Sequence, residues 1–355
     1  MLGKLNCSIS IMRVSLKMLS VLMVLGLVSV INLTAQTKTK TDDKQTIAAR
    51  GGIVRPTIPV TPDVPDLPSE LVDGVRTFRL TTMVFQHQLS TFPKKFAEVW
   101  GYNNSIPGPT AIAYEGEKIR FIVTNNLPEP TTVHFHGLHQ TNENDGVAGV
   151  SQLNPINPGE TYTYNLDPEH AGSFAYHAHF KSAEQTLKGL DGMFVVLPYY
   201  EKQKDHVDRD FVFTLQSWFW ESEGSPIVVF PGKLNKEFNV HTMNGKTRDA
   251  ASEPTIRVGE KVRLRLYNVG NLFHSMHEHG FDLTVESQNG HRKSAPYEVT
   301  TFDMGPGNFF EVTFVASKPG KWLFHCHVPH HTTNETMSGP GGSPVGMSRV
   351  FNVVN

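Results

Sequence analysis

The sequence has only two cysteines among its 355 residues, and one of them, Cys7, lies in an apolar N-terminal segment. If that segment is removed, Cys326 is the single cysteine left, which excludes a disulfide scaffold within the chain. The chain also lacks an excess of either charge, with 32 Lys and Arg against 34 Asp and Glu. Nucleic-acid binding and charge-driven membrane binding are therefore disfavoured.

The N-terminal segment has the composition of a secretory signal. Residues 19–33 are almost all apolar and follow three basic residues, but the run is shorter than the roughly 20 residues of a membrane-spanning helix. We expect residues 1–35 to be a signal peptide, so that the mature protein is periplasmic or secreted. Residues 36–74 are polar and then proline-rich, which predicts an extended linker.

Helical periodicity is scarce in the rest of the chain. Short β-branched and aromatic runs alternate with Gly, Pro and Asn turns, and this predicts an all-β chain built from sandwiches. The clearest of these runs are Thr77–Phe85, Lys118–Thr124, Thr161–Leu166 and Asp210–Leu215.

The chain also repeats itself. In each half, a Gly-Glu-Lys turn precedes a His-x-His-Gly tetrad by 18 residues, and a Pro-Gly turn precedes a second His-x-His pair by 18 residues. The glycines and first histidines are Gly116 and His134, Gly159 and His177, Gly259 and His277, and Gly307 and His325. Two homologous Greek-key β-sandwiches are expected, at residues 75–200 and 201–355.

The repeated motifs indicate metal binding. Residues i and i+2 of a strand point to the same face, so each pair presents two imidazoles side by side. One such pair could be an ordinary surface or core feature, but four pairs at matching positions favour a site. Eight imidazoles suit copper or zinc and exceed what one zinc ion uses, so several metals are implied. The pairs are His134 and His136, His177 and His179, His277 and His279, and His325 and His327.

Cys326 lies between His325 and His327, so on a strand its sulfur points away from their imidazoles and serves a different metal. His274 and His331 supply two further nitrogens. Two His and one thiolate with a long axial Met make a blue-copper electron-transfer site. The first repeat has Ala178 in place of the cysteine, so only the second domain can hold this site.

Two methionines are candidates for the axial ligand. Met337 follows the last His motif, whereas Met347 comes directly before residues 348–353, which read as the closing strand. We favour Met347 because a ligand at the start of a strand is anchored, and Met337 is the alternative.

These motifs resemble the four copper motifs of the multicopper oxidases, a laccase-like family of cupredoxin repeats. The resemblance covers the chain from Val75 to its end. It implies an all-β fold of two cupredoxin-like domains and four coppers per chain: one type 1, one type 2 and two type 3. With type 1 copper confined to the second domain, the chain is most similar to the small, two-domain laccases. The matching segments are residues 134–137, 177–179, 274–280 and 325–331.

The resemblance also implies the ligands and the activity. His274, Cys326 and His331 would bind type 1 copper, and His134 and His277 would bind type 2. The expected activity is one-electron oxidation of a phenolic, aromatic or metal-ion donor, coupled to four-electron reduction of dioxygen to water. The type 3 ligands would be His136, His177, His179, His279, His325 and His327.

Asp145 matches the family's carboxylate near type 2 copper and is the candidate general acid for oxygen reduction. An Asp-Gly turn at Asp145-Gly146 is an equally supported interpretation. The other histidines are expected to be structural or solvated: His87, His139, His170, His206, His241, His291 and His330.

Two rival functions share part of this pattern. A copper nitrite reductase has the two-domain cupredoxin fold but places its cysteine ligand in the first domain, where this chain has Ala178. A non-catalytic electron carrier would need only the type 1 ligands and would leave the paired histidines of the first domain unexplained.

The eight paired histidines are split evenly between the two domains, so their cluster must lie between a first and a second domain. Two domains of one chain cannot close a ring, whereas a head-to-tail trimer can. We expect a homotrimer with a cluster at each subunit interface. A cluster between the two domains of one subunit, which would allow an active monomer, is the alternative.

Overall fold

The structure is a computed structural model that describes residues 52–334 and 339–355. The expected signal peptide at residues 1–35 and Met337 lie outside the described residues. The described part of one compact unit consists of residues 52–54 and Lys202–Lys204, where the Gln203 N–H donates to the carbonyl of Gly52 (2.6 Å). In residues 52–334 and 339–355, no helix is long and apolar enough to cross a membrane.

The second unit, Arg55–Glu201 with Asp205–Asn355, contains two β-sandwiches, so the all-β fold expected from the sequence is confirmed. In the first sandwich, β2, β3, β6 and β8 form one sheet with β4 paired to β3, and β5, β10, β9 and β7 form the other. The strands of this half of the chain are β1 (Ile53–Val54), β2 (Ser69–Val72), β3 (Val75–Thr91), β4 (Lys94–Tyr102), β5 (Gly108–Tyr114), β6 (Ile119–Asn125), β7 (Val133–His136), β8 (Thr161–Leu166), β9 (Gly172–Ala178), β10 (Asp191–Leu197) and β11 (Glu201–Lys202).

The second sandwich has a six-stranded sheet and a five-stranded sheet, in the orders β13-β12-β15-β20-β17-β18 and β14-β22-β21-β16-β19. Helices are short: α1 (Ser182–Gln185), α2 (Pro329–Thr333) and the 3₁₀ turns Asn142–Asn144, Gln203–Asp205, Pro231–Leu234, Arg248–Ala250 and Pro340–Gly342. The strands are β12 (Arg209–Trp218), β13 (Val240–Met243), β14 (Thr255–Arg257), β15 (Lys261–Asn268), β16 (His274–Glu278), β17 (Leu283–Gln288), β18 (His291–Val299), β19 (Thr301–Met304), β20 (Phe309–Val315), β21 (Gly320–Cys326) and β22 (Ser348–Val354).

Alternation along the strands builds each core. In β6, every second side chain from Ile119 to Val123 is buried, as expected for a strand with one face on a sandwich core. β3 extends beyond the predicted run Thr77–Phe85. Its C-terminal half pairs with β4, and Leu89 in this half joins an apolar cluster with Trp218 of the second sandwich.

The proline-rich stretch at residues 55–67 is packed onto the two sandwiches rather than free in solvent. The carbonyl of Val60 accepts a hydrogen bond from the Val212 N–H (2.9 Å), and the Leu67 N–H donates to the carbonyl of Thr110 (2.8 Å). An extended backbone without local partners satisfies its polar groups this way. Residues 55–67 of the predicted linker, residues 36–74, therefore run along both sandwiches.

The strand register is what positions the histidines. β7 pairs with β9 so that His134 lies opposite His177, and β16 pairs with β21 so that His277 lies opposite His325. The same β16–β21 pairing sets Cys326 opposite Met276, on the other face. Each sandwich therefore carries its histidines on two neighbouring strands of one sheet.

Candidate metal centre

The first sandwich brings its four motif histidines together. The ring of His134 lies 5.9 Å from that of His136, 5.3 Å from that of His177 and 5.4 Å from that of His179, measured between ring centres. Donor atoms of His134, His136 and His177 lie within 4.8 Å of one another. Three imidazoles at this spacing can share one ion.

The second sandwich repeats the arrangement. The ring of His277 lies 4.9 Å from that of His279, 5.6 Å from that of His325 and 5.5 Å from that of His327. The Nε2 atoms of His279 and His325 face each other at 3.1 Å. The two sets therefore have a similar internal arrangement, as the sequence repeat implies.

The glycine that ends each tetrad is required by the backbone. Gly137 and Gly280 have φ of 90° and 83°, a conformation that residues with a Cβ rarely adopt. A Cβ on Gly280 would also lie 2.5 Å from the Trp322 ring, and one on Gly137 would lie 3.1 Å from the Phe174 ring. The chain can thus turn away directly after the second histidine.

Backbone carbonyls orient the imidazoles. The Nδ1–H groups of His177 and His325 donate to the carbonyls of Ala178 (2.9 Å) and Cys326 (2.8 Å), and that of His277 donates to the carbonyl of Thr300 (2.7 Å). This fixes the tautomer and leaves Nε2 with a lone pair for a metal. Burial lowers the pKa of His177 to about 3, so protons do not compete for it near neutral pH.

Cys326 and two histidines form a separate, buried set. Its Sγ lies 3.7 Å from His274 Nδ1 and 3.5 Å from His331 Nδ1, and the two nitrogens are 3.2 Å apart. A point equidistant from these three atoms lies about 2 Å from each, close to the length of a metal–nitrogen bond. The donors therefore fit one ion in a trigonal arrangement of two imidazoles and a thiolate, as a type 1 copper requires.

The pKa values of these three donors favour metal binding over proton exchange near neutral pH. Burial lowers the pKa of His274 to about 3 and that of His331 to about 4, and it raises the pKa of the Cys326 thiol to about 11. Without a cation the thiol stays protonated, so a metal must displace its proton on binding.

Met347 lies directly beside this set. It is fully buried in the same apolar cluster as Cys326, its N–H donates to the carbonyl of His331 (2.8 Å), and its carbonyl accepts from the Cys326 N–H (3.0 Å). It directly precedes β22, as the sequence predicts for the axial ligand.

Two histidines near this set were not recognised from the sequence. His241 is buried and stacks on His331, with ring centres 4.0 Å apart and a hydrogen bond between its Nδ1 and Ser217 Oγ (2.8 Å). His330 lies in α2, and its exposed ring is 4.4 Å from that of His331. No spacing in the sequence links His241 to the last motif, because the contact is made only by the folded sheet.

Asp145 lies beside the first set. Its carbonyl accepts a hydrogen bond from His134 Nδ1 (2.8 Å), and its Oδ1 lies 3.2 Å from the same nitrogen. Gln140 Nε2 also donates to Oδ1 (3.0 Å). Asp145 closes a 3₁₀ turn and precedes Gly146 with φ of 72°, so it is a turn residue as well as a neighbour of the site.

The two histidine sets stay apart within one chain. Among residues 52–334 and 339–355, every group of three or more donors close enough to share an ion draws on a single sandwich. Where the first set faces the second sandwich, the ring of His136 lies 5.5 Å from that of Phe309 and 6.3 Å from that of Tyr267, which are not metal ligands.

Comparisons with known proteins agree with this geometry. Residues 85–200 and 225–339 each match a family profile described as multicopper oxidase. Laccase-2 of Thanatephorus cucumeris is 31% identical over 61% of this chain and 39% of its own length. The chain spans about two fifths or less of the first curated relatives it matches.

Two solved structures are similar over most of both chains. The blue copper oxidase from Nitrosomonas europaea superposes with a TM-score of 0.69 at 28% identity, covering 79% of this chain and 86% of that one. The multicopper oxidase mgLAC gives a TM-score of 0.68 at 29% identity with the same coverage. Together with the two profile matches and the repeated His sets, these similarities place the chain in the multicopper oxidase family.

Proposed function

We propose that this chain is a laccase-like oxidase that takes electrons one at a time from a donor and reduces dioxygen to water. The observation that carries the proposal is the placement of Cys326. Its thiolate completes one donor set with His274 and His331, while its chain neighbours His325 and His327 belong to another set. A continuous covalent path therefore joins the two sets.

The donor sets support four coppers per chain. We assign type 1 copper to His274, Cys326 and His331 with Met347 as the axial ligand, and type 2 copper to His134 and His277. Bound copper supplies the one-electron chemistry that couples donor oxidation to oxygen reduction. The type 3 pair is assigned to His136, His177, His179, His279, His325 and His327.

Neighbouring groups of the protein orient these donors and keep them unprotonated. Backbone carbonyls orient the imidazoles, burial keeps His177 and His274 neutral, and Asp145 stands next to His134 as the candidate proton donor. The Asp145 carboxylate is fixed by Gln140 and by Ser151 Oγ (3.3 Å).

The electron donor is expected to bind beside His330. A cavity of about 490 Å³ opens there, and its lining includes Phe219, Trp220, Phe238 and His241. Because His241 stacks on His331, this cavity reaches the edge of the proposed type 1 site. Its aromatic lining supports phenols or aromatic amines as donors.

The separation of the two histidine sets supports a homotrimer. Each set supplies only half of the ligands of a three-metal cluster. A second copy of the chain would supply the other half. Val150 and Leu153, on the loop after Asp145, are about three-quarters exposed (73% and 74%), as expected for apolar side chains that a neighbouring subunit covers. Export by residues 1–35 remains a prediction.

Replacing Cys326 by Ser tests the proposal. The variant should lose the intense blue absorption and donor oxidation while it keeps cluster copper, and the wild type should hold about four coppers per chain. Ala178→Ser, at the matching position of the first sandwich, is the control and should keep both colour and turnover. Retained oxidation of a phenol by Cys326→Ser would rule out Cys326 as the point of electron entry.

A further inference from the structure

An arginine lies in the core of the second sandwich, next to the proposed type 1 site. Arg349 is fully buried in β22 and comes two residues after Met347, so the two side chains leave the chain on the same face. β22 pairs with β21 so that Arg349 lies opposite Phe324, which comes two residues before Cys326. The arginine therefore shares the core-facing side of its sheet with the axial methionine and the thiol.

The guanidinium of Arg349 reaches from one sheet of the sandwich to the other. Its Nη1 donates to the carbonyl of Ser348 (3.1 Å), and its Nη2 donates to the carbonyl of Met243 at the end of β13. Met243 belongs to the same apolar cluster as Cys326 and Met347. The Nε of the arginine has no hydrogen-bond partner among the described residues. A full positive charge is thus held mainly by neutral backbone groups.

The carboxylate beside this charge is shared with a second cation. Asp63 Oδ2 lies 3.7 Å from Arg349 Nη2, and Asp63 Oδ1 lies 3.7 Å from Lys246 Nζ. The carboxylate also accepts the N–H of Ser252 (3.2 and 3.1 Å). Burial lowers the pKa of Arg349 to about 10, which is still well above neutral pH. The guanidinium therefore stays charged and is only partly compensated.

A positive charge in a protein core stabilises the reduced form of a nearby redox centre, because reduction adds one negative charge there. Water and salt screen such a buried charge much less than an exposed one. Neighbouring residues on one face of a strand are about 7 Å apart. At that separation a buried charge changes a one-electron equilibrium by about tenfold or more.

We propose that Arg349 raises the reduction potential of the type 1 site and that Asp63 partly offsets this effect. The inference rests on the proposed assignment of type 1 copper to His274, Cys326 and His331. Arg349 is a positioning residue that acts through its electric field. A higher potential lets the site accept electrons from phenols that are harder to oxidise.

Redox titration of the blue absorption tests the role of Arg349. Arg349→Met keeps a long side chain without the charge and should lower the type 1 potential by about 59 mV, the equivalent of a tenfold change for one electron. Arg349→Lys keeps the charge and should retain most of the wild-type potential. Arg257→Met is the matched control, because it removes an exposed arginine from β14, which pairs with β22. Its potential should equal that of the wild type.

Asp63→Asn gives a prediction of the opposite sign, which also applies if Arg349→Met does not fold. It removes the negative charge beside the guanidinium and should raise the type 1 potential. If the contact between Asp63 and Arg349 were only structural, losing either partner would shift the potential in the same direction or not at all.

The outcomes separate this inference from the proposed function. An unchanged potential in Arg349→Met and Asp63→Asn, or shifts of the same sign in both, would overturn the role of Arg349 while the blue site itself stands. Wild-type protein that holds copper without blue absorption would instead refute the type 1 assignment, and this inference with it.

Discussion

Subunit complementation tests whether the copper cluster is shared between chains. His134→Ala removes a ligand from the first sandwich, and His277→Ala removes its counterpart from the second. Each variant alone should be inactive, since every cluster then lacks the same ligand. If the cluster lies between the first sandwich of one chain and the second of the next, a mixed trimer can contain interfaces in which both halves are intact.

The expected size of the effect follows from this geometry. In trimers formed at random from equal amounts of the two variants, about one interface in four joins two intact halves, so co-expression should restore about a quarter of wild-type oxygen uptake. Mass spectrometry of the purified trimers establishes the mixing.

A second mixture provides the control. When wild-type chain is co-expressed with the double variant His134→Ala/His277→Ala, shared clusters give about a quarter of full activity, whereas clusters within single chains give about a half. No activity from the first mixture together with half activity from the second would refute the cluster shared between subunits.

Three other substitutions probe separate parts of the structure. Asp145→Asn should slow reoxidation of the reduced enzyme by oxygen about a hundredfold, because a general acid is lost. Reduction of the enzyme by the donor should keep its rate in stopped-flow absorption. Normal rates in both steps would leave Asp145 as a turn residue beside His134. Met347→Leu should raise the type 1 potential in a redox titration and keep the blue colour, and an unchanged potential would move the assignment to Met337. Burial lowers the pKa of His87 to about 4, so between pH 6.5 and 4 the unfolded chain binds a proton that the folded chain does not. Stability therefore falls as the pH falls, by about 2 kcal/mol from this group at pH 5. His87→Gln should remove that share of the difference between urea unfolding at pH 7 and pH 5, and an unchanged difference would contradict it.

The repeat made much of the site predictable. The equal 18-residue offsets imply equal strand registers, and the structure has them: His134 opposite His177 and His277 opposite His325. The predicted run Thr161–Leu166 coincides with β8. Local alternation and turn residues were sufficient here, because each motif and its strand lie in one short segment.

Contacts between distant segments were not predictable in this way. His241 reaches His331 only because β13 and α2 are brought together in the folded chain. The packing of residues 55–67 along both sandwiches likewise depends on strand edges that proline content does not reveal. Contacts between segments that are tens of residues apart in the sequence depend on tertiary packing.

The ratio of donor oxidised to oxygen consumed tests the central claim most directly. An oxygen electrode with a phenol as donor, read together with the absorption of the oxidised product, gives that ratio for the copper-loaded protein. The proposed function predicts four donor molecules oxidised per O₂, with no hydrogen peroxide released. A ratio of two with peroxide accumulating, or no oxygen uptake by protein that holds its full copper, would contradict it.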